Sequence, residues 1–431
     1  MRYLHPFSIL RLVSIFEATA RACRSLYDDA LPFIRKYCSA HKEHVYVPPH
    51  ARRITLEWLR SKYGFYQYKP MHFNDAVKFM LSNSNSLDTS PGITFRSLGY
   101  KTKREVLEND SCIGKLHSMM HAVKKYEAYY TPIVFACVMK AKEILGQVKA
   151  RFAFVMPIQV LIAETMLFGP LIRDLPVDWV PTPKTHHDRF CGNKSKSFDF
   201  ASFDSSVPRE LIRAAFDIFV QLIDFEHYEG YGTPSNLEEL FLYVENVYLH
   251  TRVRVPQSDR VFQLNHGVPS GGLVTNLLDT VISRLVIETL HDEECESIST
   301  TYGDDCHSVN CSCDNDLLVD RAKALFGMDL KIIPPNELGC LTFCKCECIM
   351  GHPFHSGQWF KDIIDTTEAS ILPDVIECLT HMSPTKDQAA ELLTIAQDCG
   401  PTNPHPALLR KVSRMREFLV GVNFSPQFTS L

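Results

Sequence analysis

Thr300-Thr301-Tyr302-Gly303-Asp304-Asp305-Cys306-His307 lies between two runs that favour extended chain. Ile298 to Tyr302 is β-branched and aromatic, and Cys306 to Val309 reads as a second strand. Gly303-Asp304 would form the centre of a two-residue hairpin turn. Such a turn sets adjacent carboxylates at an exposed tip. Two like charges side by side are costly unless a cation or a hydrogen-bond network stabilises them. These residues alone fit either an ordinary acidic tip in water or one side of a cation site.

Two upstream stretches bear on that choice. Phe198-Asp199-Phe200-Ala201-Ser202-Phe203-Asp204 ends a short strand and precedes a helix. In continuous strand its two aspartates would face opposite ways, roughly 16 Å apart. If the chain turns after Asp199, both can face one ligand, and Asp199 could join Asp304 and Asp305 around a hard divalent cation, which prefers oxygen donors. The alternative is a plain carboxylate at a helix N-terminus. The other stretch is Gly267-Val-Pro269-Ser270-Gly271-Gly272-Leu-Val-Thr275-Asn276-Leu-Leu-Asp279. Its glycines let backbone approach a ligand closely, and Thr275 and Asp279 share one helical face. Leu277, Val281 and Leu285 supply an apolar stripe. A glycine-led helix start with polar residues in solvent is the plainer alternative.

The chain has 431 residues, 45% of them hydrophobic and 22% charged, the composition of an ordinary folded protein with a sizeable core. Length allows two or three domains or one large mixed domain. The net charge of -5 does not advertise nucleic-acid binding. Basic residues nevertheless cluster at Arg52/Arg53/Arg60/Lys62, Lys140/Lys142/Lys149/Arg151, Lys184/Arg189/Lys194/Lys196 and Arg410/Lys411/Arg414/Arg416, and local patches matter more than the total. Fifteen cysteines, an odd number without a signal-peptide pattern, suggest free thiols in a reducing compartment. The longest apolar stretch, Phe152 to Ile172, carries Pro157, Gln159, Glu164 and Pro170, so it is expected to be a buried segment and not a membrane span.

Periodicity predicts helices through the first 45 residues, over Ile54 to Tyr63, Val207 to Phe225, Leu237 to Leu249, Ser270 to about His291 and Asp316 to Phe326, and across most of Ala369 to Leu419. Val47-Pro48-Pro49 is read as a break. Lys149 to Pro157 reads as a basic strand, Thr251 to Leu264 as two strands, and Leu341 to Ile349 as an extended segment. Strands mixed with long helices, without regular βαβ alternation, predict an α+β architecture.

Taken in order, the acidic and glycine-rich stretches resemble the palm of viral RNA-dependent RNA polymerases. Asp199-x4-Asp204 is similar to their motif A, Ser270-Gly271-x3-Thr275 to motif B, and Tyr302-Gly303-Asp304-Asp305 to motif C. The spacings, 71 residues from Asp199 to Ser270 and 34 from Ser270 to Asp304, suit that fold. Lys149-Ala-Arg151 running into Pro157 and Glu164, Phe203 to Ile212, and Gly267 to Gly271 resemble the partitivirus-like group of double-stranded-RNA viruses. The similarity covers about residues 140 to 350.

The resemblance implies a right-hand polymerase with fingers, an antiparallel palm sheet with helices, and a helical thumb. Its parts would be an N-terminal extension bridging fingers and thumb (1–60), fingers (61–198), palm (199–224), a fingers/palm insertion (225–265), palm (266–350), and thumb with tail (351–431). It implies that Asp199 and Asp304, assisted by Asp305, bind two magnesium or manganese ions. Asp204, Thr275 and Asp279 would meet the ribose 2′-hydroxyl, Lys149 and Arg151 the triphosphate, and Ser270 to Gly272 would flex during translocation. Lys331 is the candidate general acid of motif D. Expected partners are RNA template and product, ribonucleoside triphosphates and a viral capsid protein, with no membrane. The expected location is the host cytoplasm, inside the virion. Many relatives have asparagine where this chain has Asp279, and an anionic aspartate cannot donate as an amide does. Cys340, Cys344, Cys346 and Cys348 with His352, or His186/His187 with Cys191, are weaker suggestions of zinc, because alternation along one strand is not the usual spacing of zinc ligands.

Two alternatives accompany this expectation. A reverse transcriptase shares the palm carboxylates but usually carries an aromatic residue where Asp204 stands. A catalytically inactive, virus-derived RNA-binding protein would not need all the carboxylates.

Overall fold

The computed structural model describes residues 30–355, apart from 43, 84–86, 127–130, 145–146, 177, 180–194, 231, 257, 293, 335–340, 345 and 350–351. The expected helices before residue 30, the expected thumb and tail beyond 355, and the His186/His187/Cys191 loop lie outside the described residues. So do the side chains of Lys149, Arg151, Cys346, Cys348 and His352.

The described strands are β1 (Ile133–Ile144), β2 (Gln147–Val155), β3 (Lys196–Phe200), β4 (Arg252–Arg254), β5 (Val261–Gln263), β6 (Ile298–Tyr302), β7 (Asp305–Val309), β8 (Leu330–Ile333), β9 (Cys346–Ile349) and β10 (His352–His355). They form a sheet of order β2-β1-β4-β5, a β9-β10 hairpin, and a sheet of order β6-β7-β3-β8. The last is antiparallel throughout, whereas β1 runs parallel to β4. Helices and antiparallel sheets together give the α+β class that the sequence predicts.

The core lies between the sheets and four long helices. In the helix Ile158–Arg173, every residue from Ile158 to Leu171 is buried. It packs with the helices Arg209–Phe219 and Pro234–Leu249 through Phe168, Phe216, Phe219 and Phe241, with ring centroids 5.4 to 6.3 Å apart. On the helix predicted over Val207 to Phe225, the apolar side chains of Leu211, Ala215, Phe216, Phe219, Leu222 and Ile223 are buried throughout. The α-helix itself ends at Phe219 and a 3-10 turn continues to Leu222. The fourth helix, Thr275–Leu290, is buried on nearly all sides from Leu277 onward, so its apolar face is wider than the stripe suggested.

Two expectations need correction. Pro48-Pro49 starts a helix, Pro49–Tyr63, because a proline in the first turn lacks only an N–H that would be unpaired there anyway. The strand within Leu341 to Ile349 begins only at Cys346 and pairs with β10. Among the described residues no helix is long and apolar enough to cross a membrane.

Candidate active site

Strand register decides what meets at the hairpin tip. β3 pairs with β7 through Lys196–Ser308, Ser197–His307 and Phe198–Cys306, and with β8 through Asp199–Lys331. β6 meets β7 at Tyr302–Asp305. One step past Phe198–Cys306, the same register sets Asp199 beside Asp305. Tyr302, Asp305, Asp199 and Lys331 therefore form one row across four strands, and directly opposed residues of antiparallel strands share a face. The contact of Ser197 Oγ with His307 Nδ1 at 3.2 Å belongs to the same face. Asp199, Asp304, Asp305 and Lys331 are exposed, whereas Phe198, Phe200 and Cys306, which alternate with them, are buried.

The tip is a two-residue turn, as expected, with Gly303 at φ +60°, a conformation that most side chains disfavour. Both of its backbone polar groups are bound by the helix Thr275–Leu290. The Gly303 N–H donates to Thr280 Oγ1 at 2.8 Å, and its carbonyl accepts from Ser283 Oγ at 2.7 Å. Thr301 Oγ1 donates to the Thr280 carbonyl at 3.1 Å. Arg284 donates to the Ser299 carbonyl and pairs with Glu288 at 2.9 Å. The hairpin is thus held along its length by polar groups of a buried helix, and the Asp304 carboxylate projects from a fixed base.

Asp204 follows β3 through a residue, Ser202, in left-handed conformation (φ 53°). That turn brings Asp204 round towards Asp304 and Ser270. Burial, and then the Asp304 charge, push the Asp204 carboxyl up to about 6, against the lowering effect of a hydrogen bond from Ser270. Asp279 is buried, and among the described residues its Oδ1 has no hydrogen-bond partner. Burial first, then Asp204 and Asp304, hold its carboxyl well above the usual carboxylate range. This favours the neutral acid, which donates as well as accepts. The expected difference from asparagine therefore applies to the anion and is smaller for this buried group. Tyr37, from the helix Leu31–Cys38, closes the same pocket. Its hydroxyl is held protonated by burial and then by Asp204 and Asp279, and its ring lies 5.3 Å from that of Phe154.

The glycine-rich loop is seated on β2. Phe154 N–H donates to the Ser270 carbonyl at 3.3 Å, and a Cβ on Gly271 would lie 2.1 Å from the Phe154 carbonyl oxygen. Thr275 Oγ1 accepts from the Gly272 N–H at 3.1 Å, so it ties down the loop at the start of its helix as well as lying near the pocket. Below the loop, Glu164 accepts from Leu273 N–H at 2.6 Å and from the Tyr248 hydroxyl at 2.7 Å. Burial pushes its carboxyl up to about 7, against the lowering effects of Tyr248, Leu273 and Val274.

A raised carboxyl pKa favours the folded state most at low pH. For Glu164 that stability is present below the unfolded value of about 4.5 and is lost as pH rises through about 7. Glutamine can accept from Leu273 and donate to Tyr248 without taking up a proton. Glu164→Gln is therefore expected to remove a pH-dependent term on the order of 3 kcal/mol. Denaturant midpoints of both proteins between pH 5 and 8 check this, with the variant gaining on wild type as pH rises. A constant difference across that range would refute the assignment.

The structure thus brings Asp199, Asp204, Ser270, Asp279, Asp304 and Asp305 to one end of the sheet, with Thr275 below and Lys331 opposite Asp199. Lys149 and Arg151 lie on β2. Sequence reasoning missed Tyr37, Thr280 and Ser283. It named Glu164 as an interruption in an apolar run and as part of the partitivirus-like stretch but gave it no role, although a carboxylate on a buried helix needs partners.

Residues 179–346 match the family described as viral RNA-dependent RNA polymerase. The genome polyprotein of Ljunganvirus 1 is 26% identical over 314 residues, covering 65% of this chain and 13% of that protein, so this chain spans well under two thirds of that relative's length. The fold is similar to that of the Sicinivirus 3Dpol RNA dependent RNA polymerase, with a TM-score of 0.63 and 13% identity over 88% of this chain and 89% of the other. Both relatives are picornavirus-like and neither is from the partitivirus-like group. The family match covers residues 179–346 alone, and with the likeness of fold the right-hand α+β class stands.

Proposed function

We propose that the protein performs template-directed RNA synthesis from ribonucleoside triphosphates by a two-metal mechanism, replicating and transcribing a viral RNA genome. The observation that carries this is the register that sets Asp199 next to Asp305, one residue from Asp304. Three exposed carboxylates at one sheet end are the oxygen donors a hard divalent cation prefers, and beside them burial first, then neighbouring carboxylate charge, raises the carboxyls of Asp204 and Asp279. Asp199, Asp304 and Asp305 would hold magnesium or manganese. Two such ions, when bound, lower the pKa of the primer 3′-hydroxyl and stabilise the pyrophosphate leaving group.

The chain's own residues do the rest. Asp204, oriented by Ser270, accepts from the ribose 2′-hydroxyl, and Asp279 offers a second polar contact behind it. Lys331, opposite Asp199, stands on the reacting face and supplies a proton to the departing pyrophosphate. Lys149 and Arg151 neutralise the triphosphate, with Arg suited to bidentate phosphate contacts. The stretches around Arg151 and Pro208 support a double-stranded genome copied within a capsid in the host cytoplasm, and the picornavirus-like relatives support a single-stranded template.

Extension on single- and double-stranded RNA templates, with ribo- and deoxyribonucleotides in magnesium or manganese, tests this. Metal-dependent incorporation of ribonucleotides is expected. Preferential incorporation of deoxyribonucleotides would make the protein a reverse transcriptase, and template binding without extension would leave only an RNA-binding role. Activity confined to single-stranded templates would remove the double-stranded assignment alone. In the same assay Asp204→Ala is expected to lower discrimination against deoxyribonucleotides about 10- to 100-fold, the worth of one hydrogen bond to a charged group. Unchanged discrimination would remove Asp204 from sugar selection.

A further inference from the structure

Cys295, Cys311 and Cys313 come from two separate segments, one before β6 and one after β7, yet their sulfur atoms all lie within 4.8 Å of one another. All three are free thiols, with Cys311 and Cys313 buried. A fourth donor is close: Nε2 of His291 lies 3.6 Å from Cys311 Sγ. His291 ends the helix Thr275–Leu290 and is buried, and its other ring nitrogen, Nδ1, meets Ser297 Oγ at 2.9 Å.

We propose that Cys295, Cys311, Cys313 and His291 form a structural zinc site that clasps the open end of the β6–β7 hairpin. Three thiolates and one imidazole are a familiar closed zinc set, and tetrahedral geometry at a Zn–S distance of about 2.3 Å needs sulfurs roughly 3.8 Å apart. Closing round a metal would require the sulfurs, now within 4.8 Å of one another, to draw about 1 Å nearer, and His291 Nε2, which lies 3.6 Å from Cys311 Sγ, to turn towards the other two. The Ser297 contact fixes the histidine ring and leaves Nε2 to face the metal, as outer-shell partners of metal-bound histidines usually do. Asp292, whose Oδ2 lies 3.7 Å from Cys313 Sγ, is paired with Arg321 at 2.6 Å, so the imidazole is the better fourth ligand. Zinc with three thiolates carries one net negative charge. The Lys196 ammonium, which donates to the Cys313 carbonyl, offsets it.

The location gives the site its purpose. Strands of five residues separate it from the hairpin tip by roughly 17 Å, too far for a part in catalysis. The tip end of the hairpin is held by Thr280 and Ser283. The zinc would close the other end, joining the helix terminus at His291 to both strand ends, and so set the height of Asp304 from behind.

The test starts from the wild-type chain. Full-length protein prepared without chelator is assayed for zinc, and its thiols are alkylated with and without prior chelation and mapped by mass spectrometry. About one zinc per chain is expected, with Cys295, Cys311 and Cys313 protected until the metal is removed. Refilling with cobalt should give thiolate charge-transfer and tetrahedral d–d bands. A Cys311→Ser/Cys313→Ser protein should lose that zinc and those bands. Metal-free protein with no cobalt spectrum would overturn the proposal, as would a disulfide among these cysteines. Zinc retained in a folded double variant, or protection confined to Cys340 to Cys348, would place the metal elsewhere and overturn it equally. If the double variant does not fold, the alkylation map of the wild-type chain decides. Polymerase activity enters none of these readouts.

Discussion

Asp304→Asn is expected to lower the rate of RNA synthesis by at least about a thousandfold while leaving the fold intact. Asparagine keeps the size of the side chain but removes the charge needed to hold a divalent cation, and losing one well-placed electrostatic group in a reaction centre costs about 4 kcal/mol of transition-state stabilisation. The side chain is exposed, and the turn is held through the backbone of Gly303 and not through this carboxylate. The Asp304 charge also raises the carboxyls of Asp204 and Asp279, so removing it relieves repulsion. Single-turnover extension and a thermal melt on the same preparation check both halves. Activity within tenfold of wild type, or a melting temperature lowered by many degrees, would contradict the assignment.

Gly271→Ala is expected to cost about a hundredfold in synthesis for a different reason. The added Cβ would lie 2.1 Å from the Phe154 carbonyl oxygen. That atom belongs to the backbone of β2, whose own N–H bonds the Ser270 carbonyl, so no side-chain rotation relieves the clash. The loop must lift from β2, and Ser270 must leave Asp204. A displacement of about 1 Å in a positioning group is enough for a loss of that size. Because the loop is partly exposed, the expected stability loss is modest, about 1–2 kcal/mol. The diagnostic result is a fall in nucleotide affinity and in sugar discrimination together. A loss in rate alone, with discrimination unchanged, would mean that the loop does not position Ser270.

Some of this site is legible in the sequence alone and some is not. Asp304 and Asp305 stand in a local pattern, a turn between two β-rich runs, and such patterns survive in one dimension. Ser270 to Thr275 does so in part, because its glycines announce a loop, but the helix expected from Ser270 starts only at Thr275. Pairing Asp199 with Asp305 required the strand order β6-β7-β3-β8, which periodicity does not encode. Tyr37 carried no signal, since an aromatic residue in an amphipathic helix is ordinary core. The cysteines are the clearest case. Cys340 to Cys348 are close in sequence and so suggest a metal in one dimension, whereas Cys295, Cys311 and Cys313 become neighbours only when the hairpin forms between them. Pro48-Pro49 signals a break in one dimension and starts a helix in the structure, because proline disfavours the inside of a helix but suits its first turn.

The row of Tyr302, Asp305, Asp199 and Lys331 also has a kinetic meaning. Its central strand, β3, is made early, and both of its partners lie more than a hundred residues further along the chain. Until β7 and β8 arrive, β3 keeps two unpaired edges, a state prone to mispairing. Closing loops of that length costs entropy before any pairing returns it, which makes such sheets slow to form. Catalytic competence should therefore be the last property to emerge on refolding, well after helical signal has recovered. A newly made chain would lack the row of carboxylates until its sheet is complete.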